Sequence, residues 1–319
     1  MPDKQQTLGQ YETPTDVADL LLGFCLRRPS DRLLDPSCGE GAFLGRAAQW
    51  LRWLADNPAD APPDALWGVE LDPETAVHAQ TALPQAHILT HNFFTLTPDG
   101  SADLPGFFDA VIGNPPYTRA EWIGRLPSED GRQLELFDDL PHIAPEAADK
   151  RLLMPRQLWD SLGGRSGLHA YFFLHGAQFL REGGRLGFVV PNGWLDVAYG
   201  KELKQFLLDH FKILAMIESG VERWFDDAKI NTCLVVLEKC SGPNRRAANR
   251  VRLVRLKRPL RTLLHYPADD ARRLTVLEQL IPRLLPNDNR QTPELAVRVI
   301  GQADLRPAAK WGLALRAPE

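Results

Sequence analysis

In the stretch FDAVIGNPPYTRA, residues 108–120, an apolar run ends in Asn114-Pro115-Pro116-Tyr117. Asn114 presents a side-chain carbonyl, and Pro115 a backbone carbonyl with no N–H beside it. Two adjacent acceptors suit an NH2 group on a planar system, which offers two donor hydrogens. Holding both draws the nitrogen lone pair out of conjugation and aims it at an electrophile. Tyr117 supplies a face on which a flat base can stack. Pro115 and Pro116 fix these positions in advance, so the corner works by preorganisation rather than by acid–base chemistry.

A second stretch, LLDPSCGEGAFL (33–44), reads as strand, glycine turn and helix start. Gly39 and Gly41 let the backbone approach a ligand closely. Dinucleotide loops follow G-x-G-x-x-G, but here the third glycine is displaced to Gly45 and Asp35 leads the loop. An acid is a poor neighbour for pyrophosphate and suits a cationic ligand, such as a sulfonium bearing an α-amino group. A third stretch, WGVELDPETA (67–76), puts Glu70 at a strand tip, where a carboxylate can accept both hydroxyls of a ribose, with Leu71 against an adenine face. Loop and acid together point to S-adenosylmethionine. A nicotinamide enzyme would have no use for the proline corner.

Such groups need a scaffold that brings strand ends together. Short apolar runs predict strands over Arg32–Asp35, Leu66–Leu71, His87–Asn92, Phe108–Gly113, Arg185–Pro191, Ile213–Glu218 and Thr232–Glu238. Helical patterns cover Thr15–Leu26, Gly41–Ala55, Leu168–Leu180 and Tyr199–His210. The alternation predicts an α/β fold: a doubly wound, mostly parallel, seven-stranded Rossmann-like sheet. Residues 119–167 break the pattern as an irregular insertion, either a loop gripping a ligand or a surface excursion. After Cys240 come a polar break, a basic strand-like segment (Val251–Leu256) and a helix (Asp270–Leu285).

The chain of 319 residues carries a net charge of −4, unevenly spread. Residues 241–319 hold 16 Lys+Arg against 7 Asp+Glu, whereas residues 1–240 hold 21 against 34. The basic section either faces phosphates or an acidic partner, or is an arginine-rich solvated surface. No apolar run nears the roughly 20 residues of a bilayer span, and "MPDKQQTLGQ" has no signal core. The cysteines (Cys25, Cys38, Cys233, Cys240) lack metal spacing, so we expect reduced thiols, no metal and a cytosolic setting.

The order of these stretches over residues 9–240 resembles the class I S-adenosylmethionine-dependent methyltransferases. Within them it is most similar to the gamma-class adenine-N6 DNA methyltransferases of restriction–modification and related defence systems. GQYETPTDVADLLL looks like their first motif. LLDPSCGEGAFL, WGVELDPETA, NFFTL and VIGNPPY follow in the family's order, and GGRLGFVVPNGWL and WFDDAKINTCLVVLEK continue it. The resemblance implies that Tyr11 and Thr13 contact the methionine end of the cofactor, with Asp35 near its amino group. Ser37, Gly39, Gly41, Glu70, Leu71, Asn92 and Phe93 complete the cofactor set. It also implies that Asn114, Pro115, Pro116 and Tyr117 hold an adenine extruded from double-stranded DNA, with Phe225 packing on its other face. The setting it implies is the prokaryotic cytosol, in association with the nucleoid.

Asn92 stands where this family commonly has Asp, which implies a modestly weakened pull on the cofactor's adenine amino group. Residues 1–240 therefore read as the catalytic domain and 241–319 as a small basic extension. Relatives carry a recognition domain after the catalytic motifs, and 79 residues leave little room for one. Either the chain is a fragment, or a separate specificity subunit docks on the basic section. Three other readings stand beside this one. Glutamine methylation of release factors also uses N-P-P-Y, though usually behind a longer helical domain. Adenine methylation of structured RNA and an inactive cofactor-binding scaffold are the others.

Overall fold

The apolar runs become strands covered on both faces. The computed structural model describes residues 11–55, 64–98, 104–117, 162, 166–225, 230–265 and 269–317. β1 (Leu33–Asp35), β2 (Leu66–Glu70) and β4 (Phe108–Gly113) are buried almost throughout. With β3 (His87–Thr90), β5 (Leu180–Pro191), β6 (Phe211–Ser219) and β7 (Thr232–Lys239) they account for the seven expected strands. Three more follow: β8 (Arg250–Leu256), β9 (Arg290–Gln291) and β10 (Leu295–Gly301). All ten form one sheet in the order β3-β2-β1-β4-β5-β7-β6-β8-β10-β9.

β1 pairs in parallel with β2 on one side and with β4 on the other. The strand order reverses there, so the carboxyl ends of β1, β2 and β4 flank one crevice. β7 runs antiparallel between β5 and β6. The basic section does not stand apart. β8 lies parallel to β6, and β10 extends the sheet antiparallel to β8.

Helices α1 (Thr15–Cys25), α2 (Ala42–Leu54), α3 (Pro73–Ala82), α4 (Leu168–Gly176), α5 (Gly200–His210), α6 (Asp270–Leu284) and α7 (Trp311–Arg316) cover the two faces. Leu20 and Leu21 of α1, Leu44 of α2 and Leu277 and Leu280 of α6 share one core with Leu33 and Ile112. Phe173 of α4, Phe206 of α5 and Trp311 of α7 share the other with Val111 and Phe188. A buried carboxylate ties the first layer together. Asp19 on α1 pairs with Arg46 of α2 at 2.6 Å and with Arg273 of α6 at 3.7 Å.

Two boundaries differ from the sequence reading. The third predicted helix, Leu168–Leu180, stops at Gly176 and passes through a 3-10 turn (Ala177–Phe179), and β5 begins at Leu180 rather than Arg185. Gly183 and Gly184 look like a turn in sequence. Here Gly183 takes a positive φ of 75° within the strand, and the β4–β5 register shifts between Phe108 and Ala110. Glycine permits the bulge that keeps the strand going. Apart from residues 162, 166 and 167, the irregular insertion lies outside the described residues.

Candidate active site

β1 ends at Asp35, and the chain turns through Gly39 (φ 52°) and Gly41 (φ 88°) into α2. Both glycines are in the left-handed region that side chains avoid. A Cβ on Gly41 would strike Leu83 Cδ1 at 2.4 Å, so this glycine is required by packing. A Cβ on Gly39 would meet nothing within 4 Å, so the turn looks onto open space. Glu70, at the end of β2, braces the loop: its carboxylate accepts from Gly39 N and Asp72 N, each at 2.9 Å. Each oxygen keeps a further lone pair for a ligand.

Asp35 is almost fully buried and accepts from Ser37 N at 3.2 Å. Among the described residues no cationic side chain pairs with it. Burial pushes its carboxyl up to about 8, and the nearby Glu70 adds to the rise. Burial also raises Glu70. Two buried acids beside an open glycine turn, neither paired with a lysine or arginine among the described residues, favour a cation.

The proline corner sits next to this loop. Ser37 Oγ lies 3.5 Å from the carbonyl oxygen of Asn114. The Asn114 amide donates to the carbonyl of Tyr11 at 3.0 Å, while its side-chain oxygen is buried and accepts from no donor among the described residues. A buried acceptor without a donor is costly, so this one awaits a partner. Beside it, Tyr11, Tyr117 and Phe225 form an aromatic trio, with ring centroids 5.6 Å (Tyr11–Tyr117), 5.9 Å (Tyr117–Phe225) and 6.3 Å (Tyr11–Phe225) apart. Tyr117 and Phe225 meet edge to face rather than stacked.

The sequence-predicted residues thus gather in two neighbouring groups. Asp35, Ser37, Gly39, Gly41 and Glu70 form the loop; Tyr11, Asn114, Pro115, Pro116, Tyr117 and Phe225 form the corner. Thr13 is buried just before α1, and Leu71 is 40% exposed beyond Glu70. Asn92 turns its side-chain oxygen back to cap Phe94 N at 3.1 Å. The Phe93 ring joins neither group: it lies in the core against Phe172, His175 and Phe179.

Sequence reading passed over the glycines that let the strands approach. A Cβ on Gly113 would lie 2.9 Å from Asp35 Oδ1 and 3.3 Å from Pro36 Cδ, and one on Gly68 2.7 Å from Cys38 Sγ. It also passed over a network at the ends of β5 and β6. Glu218 accepts from Asn192 at 2.9 Å and from Arg316 Nε and Nη2 at 2.8 and 2.7 Å, and Arg316 also binds Asp196 at 2.8 Å. This network floors a cavity of about 420 Å³ that Trp224, the neighbour of Phe225, also lines.

Residues 74–225 match the Eco57I restriction-modification methylase family model. The chain is 28% identical over 202 residues to the type II methyltransferase M.TthHB8I of Thermus thermophilus, covering 63% of this chain and 39% of that protein. It is 27% identical over 312 residues to the type II methyltransferase M.PaeR7I of Pseudomonas aeruginosa, covering 90% of this chain and 47% of that one. The chain therefore spans less than half the length of these relatives. Among solved structures it superposes on the type I restriction-modification system methyltransferase subunit from Streptococcus thermophilus. The TM-score is 0.58 at 20% identity, over 90% of this chain and 55% of that one. The two share the Rossmann-like class I methyltransferase fold.

Proposed function

We infer that this chain, whose central segment matches a restriction-modification methylase family, methylates N6 of an adenine extruded from DNA, using S-adenosylmethionine. The observation that carries this reading is the Asn114 amide: one end is fixed on Tyr11 and the other is a buried oxygen with no donor among the described residues. With the Pro115 carbonyl it offers the two acceptors that an exocyclic amino group requires.

The loop fits the cofactor on its own chemistry. The cofactor supplies a methyl group on a positively charged sulfur. Asp35 would hold the cofactor's ammonium with its buried carboxylate, and the spare lone pairs of Glu70 would accept from ribose hydroxyls. Gly39 leaves room for close approach. Leu71 and Asn92 lie at the ends of β2 and β3, beside where the adenine ring would lie.

At the corner, Asn114 and Pro115 hold the two hydrogens of the target amino group and orient its lone pair. Tyr117 would offer its face to the base, and Phe225, edge-on to Tyr117 in this structure, would turn to cover the other side. No base is needed to create the nucleophile; positioning and acceptor electrostatics do the work. The product proton leaves after transfer.

Residues 1–240 would carry this chemistry, with 241–319 as a basic extension toward DNA or a separate specificity subunit. The setting would be the prokaryotic cytosol, and the role that of the modification component of a restriction–modification system. The deciding experiment is transfer of labelled methyl from S-adenosylmethionine to mixed genomic DNA, followed by digestion to nucleosides. Label in N6-methyladenine is expected. Label in cytosine, in release factor or in ribosomal RNA, with none in adenine of DNA, would overturn the reading.

A further inference from the structure

The cavity beside the aromatic trio has a composition that the methyl-transfer chemistry does not explain. Its walls come from the end of β5 (Asn192), the end of β6 and the turn after it (Glu218 to Trp224), the start of β7 (Asn231, Thr232), and two arginines of the C-terminal section, Arg255 and Arg316. Its acids are already engaged. Glu218 is held by Asn192 and by both ends of the Arg316 fork, and Glu222 accepts from Leu260 N at 2.7 Å.

The cations divide differently. Arg316 is committed to Glu218 and Asp196. Arg223 and Arg255 are exposed and have no carboxylate partner among the described residues. Arg255 faces Glu218 across the β6–β8 pairing. Its side chain crosses Gly220, where a Cβ would lie 2.7 Å from Arg255 Nε, and among the described residues its hydrogen bonding is a long 3.4 Å contact from Nη1 to the carbonyl of Arg316. Trp224 lines the same wall, and its buried indole N–H has no acceptor among the described residues. Two guanidiniums with no carboxylate partner among the described residues, over a floor whose carboxylates are neutralised, complement an anion rich in acceptor oxygens.

We propose that this cavity seats the DNA backbone flanking the extruded base, with Arg255 and Arg223 on its phosphodiesters. The proposal rests on the reading above and extends it. Trp224 adjoins Phe225, so the cavity opens beside the corner where the base would stack. The charge asymmetry of the sequence then has a local meaning. The basic section reaches across β8 to place Arg255 on the face of an otherwise acidic body. These contacts position the strand without reading sequence.

The test is binding of a short fluorescein-labelled duplex of mixed sequence, followed by anisotropy over a salt series. The proteins are wild type, Arg255→Ala, Arg255→Lys and the double variant Arg223→Ala/Arg255→Ala. S-adenosylmethionine affinity by calorimetry serves as the check that each variant is folded. Each lost phosphate contact lowers the slope of log affinity against log salt by about 0.9. The expected result is a slope smaller by about one for Arg255→Ala and about two for the double variant, equal across DNA sequences. Arg255→Lys keeps the wild-type slope and cofactor affinity is unchanged throughout. Wild-type slopes in both alanine variants would overturn this proposal and leave the methylation reading standing. No salt-dependent DNA binding by wild type, or an Arg255 effect seen with duplex RNA alone, would overturn both.

Discussion

Asn114 and Asp35 are both poised, in opposite senses: one is an acceptor without a donor, the other an acid without a cation. Replacing Asn114 with Ala removes an interaction that strengthens in the transition state. We expect methyl transfer to fall by about 10²–10³-fold, the usual loss for one such group, while calorimetry finds cofactor affinity nearly unchanged. For Asp35 the folded-state value near 8 exceeds the usual 3.8, so the folded chain holds this proton more tightly than the unfolded one. Its contribution to stability is full below about pH 4 and is lost progressively as pH rises to about 8. Asp35→Asn should flatten the pH dependence of the urea midpoint over that window. In wild type, a cation arriving beside Asp35 expels the proton. Cofactor binding at pH 7 should therefore release close to one proton, seen as calorimetric heats that vary with buffer ionisation enthalpy. Buffer-independent heats would remove Asp35 from the site. Gly113→Ala should cost about 1–3 kcal/mol in thermal unfolding by forcing a methyl against Asp35 and Pro36. Asn114, Asp35 and Glu70 were legible in the sequence because their functional groups end apolar runs. Gly113 and Gly68 were not, since their role is room for atoms far away in the chain. Phe93 was placed by its motif, and its ring sits in the core because Phe172, His175 and Phe179 arrive from a distant helix.

At the scale of elements, the strands and helices of the first half follow directly from their apolar periods. The departures have local causes. β5 continues through Gly183 and Gly184 because a bulge absorbs the extra residue, an outcome that composition alone reads as a turn. β8 (Arg250–Leu256) bears out the strand-like segment read at Val251–Leu256 despite its arginines, whereas β10 alternates too weakly to show as a strand in the sequence. The joint between elements that matters most is Arg316. It fastens α7 to the end of β6 through Glu218, whose side chain is 8% exposed, and to the turn after β5 through Asp196. Arg316→Ala leaves a buried carboxylate short of its donors. The expected loss is about 1–3 kcal/mol, read as a lower urea midpoint with an unchanged denaturant slope. Glu218→Gln in the same background should recover part of it, because the amide is cheaper to bury than the charge.

For the molecule as a whole, alternation in the sequence forecast the layered fold, and the charge count singled out the C-terminal section. Neither could say that this section would join the sheet, because that depends on β6 presenting its free side to β8. The extension also supplies Leu277, Leu280 and Leu284 to the core around α1. Residues 1–240 expressed alone should therefore expose the side of β6 and one flank of α1. We expect the soluble yield to collapse relative to the full chain. A soluble 1–240 product with the full chain's urea midpoint would instead make the extension an independent appendage. One last consequence follows from the two margins of the sheet. At one end β3 is four residues long; at the other β9 is two, exposed and carrying Arg290. Margins this short, one of them charged, offer a passing strand few unpaired backbone groups. A ten-stranded platform that could have recruited its own copies into fibrous stacks is thereby stopped at both ends.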